Sequence, residues 1–157
     1  SQGRMTKRKR SYQRPPVAEV EREGANGATS AGPALPDATH QRLVELSMLA
    51  VDWDSYGALR VSQQALAGAG AIIGQVIARM GIGGVPQEIM PIADGGVALE
   101  WRYPRIELGL NACPDGGWGS LLVERDGSGR HATEGYDLSD DEALALILRV
   151  IGAAHAR

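Results

Sequence analysis

Between Val85 and Tyr136 the chain alternates apolar and polar residues, and four tight-turn signals cut the alternation into short pieces. The turns are Asp94-Gly95-Gly96, Pro104-Arg105, Asp115-Gly116-Gly117 and Asp126-Gly127-Ser128-Gly129. A period of two puts successive side chains on opposite faces of a strand, and turns this short can join only antiparallel neighbours. Strands are therefore expected over 88–92, 97–103, 106–110, 118–124 and 130–135. Val97, Leu99, Trp101 and Tyr103 share one face with Ile106, Leu108 and Leu110. Pro86 and Pro91 mark the first strand as an edge, because proline cannot donate to a ladder on both sides.

The flanking segments carry a helical period. Leu43, Leu46, Met48, Leu49 and Val51 follow a candidate cap at Thr39, which predicts a helix reaching about Asp52. Ser62 is placed to cap a second helix over 63–80, with Leu66, Ala69, Ile72, Ile73, Val76 and Ile77 apolar. Gly68, Gly70 and Gly74 each cost that helix roughly 1 kcal/mol against alanine, which predicts a close backbone neighbour on that face. Gly81, Gly83 and Gly84 end it. Ser139 with Glu142 forms a capping box ahead of the stripe Leu144, Ile147, Leu148, Ile151. The expected architecture is a two-layer α+β domain over 37–157. In it a four- to five-stranded antiparallel meander packs against two N-terminal helices and one C-terminal helix.

Residues 1–36 have no apolar period and are rich in Pro, Gly, Ser, Ala and charge. Such a segment buries too little to offset its ordering entropy, so a disordered tail is expected, with residues 1–4 a remnant ahead of a start at Met5. The tail holds seven basic and three acidic groups, a net of +4; residues 37–157 hold nine and sixteen, a net of −7. An acidic body repels polyanions, so nucleic-acid binding would have to use the tail cluster Lys7, Arg8, Lys9, Arg10 and Arg14.

Chemistry-bearing motifs are sparse. Cys113 is the only cysteine, which excludes an internal disulfide and a cysteine-held metal. Beside Pro114 in a loop it reads as a passive thiol. His40, His131 and His155 fall on three different elements, so no catalytic triad is legible. The glycine runs at 81–84 and 126–129 lack the Lys-Ser/Thr ending of a phosphate loop. The apolar stretch 65–78 is too short to span a bilayer and no apolar leader is seen, so a cytoplasmic protein without a membrane partner is expected. No cofactor and no catalytic residue are expected.

The most distinctive segment is Asp52-Trp53-Asp54-Ser55-Tyr56-Gly57-Ala58. In one reading Trp53 and Tyr56 anchor the core while Asp54 or Ser55 bonds backbone amides in a turn. In the other, Asp52 and Asp54 ligate a metal with Glu100. Glu100, Arg102, Arg105 and Glu107 are expected to form cross-strand charge pairs on the outer sheet face.

Trp-Asp-Ser-Tyr-Gly-Ala, a following helix and then Pro-Gln-Glu-Ile-Met-Pro-Ile-Ala-Asp-Gly-Gly-Val-Ala-Leu-Glu-Trp resemble a set of small bacterial and phage proteins. Those carry an Asn-Trp-Asp-Gly-x-Gly-Ala-like motif and a later strand ending Asp-Gly-Gly-x-x-Leu-x-Trp. The resemblance covers about residues 43–102, and this chain has Asp52 for Asn and Ser55 for Gly. It implies one compact domain, with Trp53, Asp54, Tyr56, Gly57, Glu100 and Trp101 as structural motif positions, and it carries over no activity. The functional expectation is a non-enzymatic interaction or regulatory module, antitoxin-like or defence-associated, binding a protein or a second copy. The alternatives are a nucleic-acid-associated protein using its arm, a metal-dependent enzyme, and a phage structural component.

Overall fold

Alternation turns into strands wherever the turn residues allow the chain to reverse. The computed structural model describes residues 34–156. The tail cluster Lys7, Arg8, Lys9, Arg10 and Arg14 lies outside the described residues. In chain order the elements are α1 (Asp37–Ser47), α2 (Gln63–Met80), a 3-10 turn (Ile82–Gly84), β1 (Glu88–Pro91), β2 (Val97–Arg102), β3 (Ile106–Ala112), β4 (Trp118–Asp126), β5 (Gly129–Leu138) and α3 (Asp140–Ala154). The strands form one sheet in the order β1-β2-β3-β4-β5, each antiparallel to the next. This is the expected α+β meander, with five strands.

Register fixes the two faces. Val97, Leu99, Trp101, Leu108, Leu110 and Trp118 point to one side and are buried. Helices α2 and α3 roof that side, with Ala69, Ile73 and Val76 from α2 and Ala143, Ile147 and Val150 from α3 fully enclosed. Each large apolar side chain buried this way contributes roughly 1.5–3 kcal/mol. With no phenylalanine in the chain, Trp101 and Trp118 are the largest fully buried side chains of the core. Their indole N–H groups are satisfied. Trp101 Nε1 donates to the Gly84 carbonyl at 2.8 Å, and Trp118 Nε1 donates to Asp140 Oδ1 at 2.8 Å, tying β4 to the first turn of α3.

The helix termini follow their sequence signals with one exception. Ser62 Oγ accepts from Ala65 N, and Ser139 with Glu142 completes the capping box. Thr39 is not a cap: it lies inside α1 and is buried, and Pro36 occupies the N-cap position. Leu35, assigned by composition to the tail, packs against the core. Helix α1 also ends at Ser47, before the expected Asp52. The helical spacing of Met48 and Val51 is overridden because Asp52 N donates to the Ala58 carbonyl at 2.6 Å and Asp52 turns left-handed, with φ 66°.

The glycines of α2 do not admit a backbone neighbour. A Cβ on Gly74 would meet nothing within 4 Å, while Gly68 and Gly70 face side chains of Trp118 and Leu43 at ordinary contact distance. The close approach is at Gly84, where a Cβ would sit 2.7 Å from Val76 Cγ1.

The two edges of the sheet differ. β1 has four residues, ends at Pro91, and has α1 beside it. Arg42 Nε of α1 donates to the Ile89 carbonyl at 2.8 Å. β5 has ten residues, and every residue from Gly129 to Glu134 is exposed. A bulge interrupts β5 where Trp118 pairs with Leu138 but Ser120 pairs with Gly135; the extra residue is accommodated near Asp137, at φ 53°.

Candidate functional site

The segment 52–58 folds on its own carboxylates. Asp52 Oδ1 accepts from Gly57 N at 2.6 Å, and Asp54 Oδ1 accepts from Tyr56 N at 2.8 Å and Ala58 N at 3.1 Å. Ser55 N donates to the Asp52 carbonyl at 2.9 Å. Such Asx bonds replace the helical ladder that Asp favours least. Gly57 takes φ 90°, the left-handed region glycine enters without strain. Asp52 and Ser55 enter the same region, both at φ 66°. Asn and Gly are the residues best suited to a left-handed backbone, so both positions carry a residue less suited to it.

Asp52 and Asp54, and not Ser55, supply the turn's side-chain acceptors. The core-anchor reading fails for Tyr56, which is 91% exposed. Trp53 is half-buried and donates its indole N–H to the Leu59 carbonyl at 3.2 Å. The buried residue of the loop is Ala58. Leu59 N donates to the Ala93 carbonyl at 2.8 Å, which fastens the loop to the β1–β2 turn. Around Tyr56 in sequence, Met48 is 73% exposed, Val51 58% and Leu59 57%. The result is a backbone held by five local hydrogen bonds, carrying large apolar side chains that have no enclosure.

Glu100 stands on the outer face of β2, where Arg102 Nη2 contacts it at 2.7 Å and Glu88 at 2.9 Å. Glu107 pairs with Arg125 at 3.0 Å instead of with Arg102, its register partner. Arg105 offers its backbone carbonyl to Arg125 N at 2.9 Å. Cross-strand pairing thus holds for Arg102 with Glu88 and for Glu107 with Arg125, while Glu100 pairs within its own strand and Arg105 has no carboxylate within ion-pair distance among the described residues. Asp52 and Asp54 spend their carboxylates on amides and Glu100 is committed to Arg102. Among the described residues, no group of three or more His, Cys, Asp or Glu is arranged to hold a metal ion. Trp101 is enclosed in the core.

One cluster was not legible in the sequence. At the β4–β5 tip, Ser128 Oγ donates to Asp126 Oδ1 at 2.6 Å and lies 2.9 Å from His131 Nε2. These bonds hold the Asp126 carboxyl below its ordinary range, chiefly through the Ser128 hydroxyl and amide. Ser128 Oγ has the Asp126 carboxylate as its acceptor, and the tip is open to solvent. A two-residue turn accounts for the cluster. Cys113 is a half-buried thiol pushed up by burial and by Asp115, Asp94 and Asp137, which disfavours the thiolate.

An open groove of about 590 Å³ runs between α1 and β1, lined by Thr39, Arg42, Val85, Pro86 and Ile89 among others. Its two charged groups are engaged: Arg42 with the Ile89 carbonyl and Glu45, and Glu88 with Arg102. Among the described residues, no helix is long and apolar enough to cross a membrane. No family model, curated protein or solved structure matches this chain.

Proposed function

We propose that this chain is a non-enzymatic protein-interaction module that presents the loop 48–59 to a protein partner, as an antitoxin-like or defence-associated regulator would. The observation that carries the reading is Tyr56, exposed at the tip of a loop whose backbone is fixed. Exposed Tyr, Met and Leu side chains gain most from being covered, and aromatic anchors dominate interface energies. Fixing the loop before binding removes part of the ordering cost that a flexible loop would bear on association. The left-handed Asp52 and Ser55 store strain of order 1–3 kcal/mol each, and strain of this kind concentrates where a loop shape has a use. The test is a photo-crosslinking residue at position 56, used in the native host beside the same probe at the exposed position 79. A defined protein adduct at 56 that is absent at 79, and lost on Leu59→Ser, is the expected result. Identical adducts from both positions refute the reading.

A second reading is favoured by the charge split. Five cations within residues 7–14, ahead of an acidic body, suit sequence-blind contacts to phosphates. Deleting residues 5–16 then abolishes a salt-dependent mobility shift with DNA or RNA; an unchanged shift removes the arm from consideration.

A further inference from the structure

We infer that β5 is a dimerisation strand: a second copy of this chain adds its own β5 antiparallel to the open edge, with the two-fold axis through Ala132.

The pairing of β4 with β5 decides which backbone groups face outward. Arg125 N donates to the Arg105 carbonyl, so Arg125 turns its hydrogen-bonding groups toward the β3 side and away from β5. Arg125 is the register partner of Arg130. In an antiparallel ladder, a pair whose one member turns away is a non-hydrogen-bonded pair, and the other member turns away too. Arg130 therefore presents its N–H and C=O to the open edge, and alternation makes Ala132 and Glu134 do the same. Three consecutive outward positions on an uncovered strand are a template for strand addition.

Charge selects the occupant. With Ala132 opposite Ala132 of the second copy, Arg130 of each copy lies opposite Glu134 of the other, on the same face. Every outward group of the three residues then finds a partner. Sliding the strands by two residues sets Arg130 against Ala132 or Glu134 against Ala132 and loses the ion pairs. Sliding by four sets arginine on arginine or glutamate on glutamate, which is destabilising. Only one register is therefore both hydrogen-bonded and charge-matched.

The protomer itself shows the need. Arg130 stands directly opposite Arg125, a like-charge pair, and Arg125 is neutralised by Glu107. Arg130 has no carboxylate within an ion-pair distance among the described residues. The second copy's Glu134 supplies it. There is room for the addition, since His131 and Thr133 on the helix side of β5 are exposed and the helix layer stops short of them.

Sedimentation of the full chain across a concentration series up to about 1 mM tests the proposal. A monomer–dimer equilibrium is expected. Arg130→Glu alone and Glu134→Arg alone should each weaken it tenfold or more, and the double reversal should restore it to within about threefold. Recovery in the double variant rules out misfolding as the cause of the single losses. In a Cys113→Ser background, Ala132→Cys should form an intermolecular disulfide on mild oxidation, because a residue on the axis meets itself. A chain that stays monomeric throughout overturns the proposal. So does a dimer that ignores the single reversals, a dimer in which position 132 does not cross-link, or one that dissociates on Tyr56→Ser. The last outcome would move self-association to the loop, whereas a β5 dimer unaffected by Tyr56→Ser leaves the loop's protein partner to its own test.

Discussion

The two edges of this sheet solve the same problem in opposite ways. An edge strand exposes a row of unpaired backbone groups that invites pairing with another chain. At β1 the problem is closed from within: the strand is short, it ends in Pro91, and Arg42 reaches from α1 to the Ile89 carbonyl. At β5 none of these devices is present; the strand runs ten residues and is exposed on both faces over most of its length. What distinguishes β5 from an edge at risk of indiscriminate aggregation is its side chains. Arg130 and Glu134 form ion pairs in one hydrogen-bonded register, lose them on a two-residue slide and repel on a four-residue slide. An edge can thus be protected either by covering its backbone or by making its side chains choose a register.

Proline substitutions separate the inward from the outward donors of β5. Thr133→Pro removes a donor turned toward β4 and should cost about 3 kcal/mol or more in urea unfolding, whereas Ala132→Pro removes an outward donor and should cost less than about 1 kcal/mol. Equal costs would mean that the outward set has been assigned to the wrong residues. At the closed edge, Arg42→Ala withdraws a charge-assisted bond to the Ile89 carbonyl. A loss of about 1–2 kcal/mol is expected, with faster amide exchange confined to α1 and β1. No change in exchange there would show that β1 is protected by its length alone.

A smaller effect is expected in the loop that fastens to the β1–β2 turn. Ser55→Gly relieves a left-handed backbone and should stabilise the fold by about 0.5–1 kcal/mol in thermal denaturation, because the relief exceeds the added freedom of the unfolded chain. A destabilised Ser55→Gly variant would mean the serine side chain holds the loop. The smallest effect is at the open tip. Asp126 has its pKa lowered when folded, so its bonds to Ser128 contribute above the ordinary carboxylate range and are lost as pH falls through the lowered value. The Ser128 amide resonance should shift at that lower pH, and a midpoint in the normal aspartate range would exclude the bond.

Much of the fold was legible because its signals are local. The capping box Ser139–Glu142, the Ser62 cap and the glycine at the Asp94-Gly95-Gly96 turn act within a few residues, and each appears where the sequence places it. Signals that depend on competition were less legible. Met48 and Val51 keep a helical period, yet the helix stops before them because the carboxylates of Asp52 and Asp54 offer the next backbone amides a better arrangement. Tyr56 looked like a core residue by type and is exposed, while the small Ala58 is the buried one. Residue type reports what a side chain prefers, and a loop's path decides what it gets. The Asp126–Ser128–His131 cluster was invisible for a related reason: its members span a turn, and only the turn's geometry brings them within hydrogen-bond reach.

From the residues alone come the antiparallel order of four to five strands and the faces of the β2 and β3 residues, because a period of two and short turns leave no other geometry. Tertiary structure decided which edge is covered and why Gly84 leaves no room for a Cβ. Arg42 and Ile89 are 47 positions apart, and Gly84 meets Val76 only because the turn after α2 folds back on it. Contacts of that kind arise from where whole elements come to rest, and no local pattern encodes a distance between segments that are not neighbours along the chain.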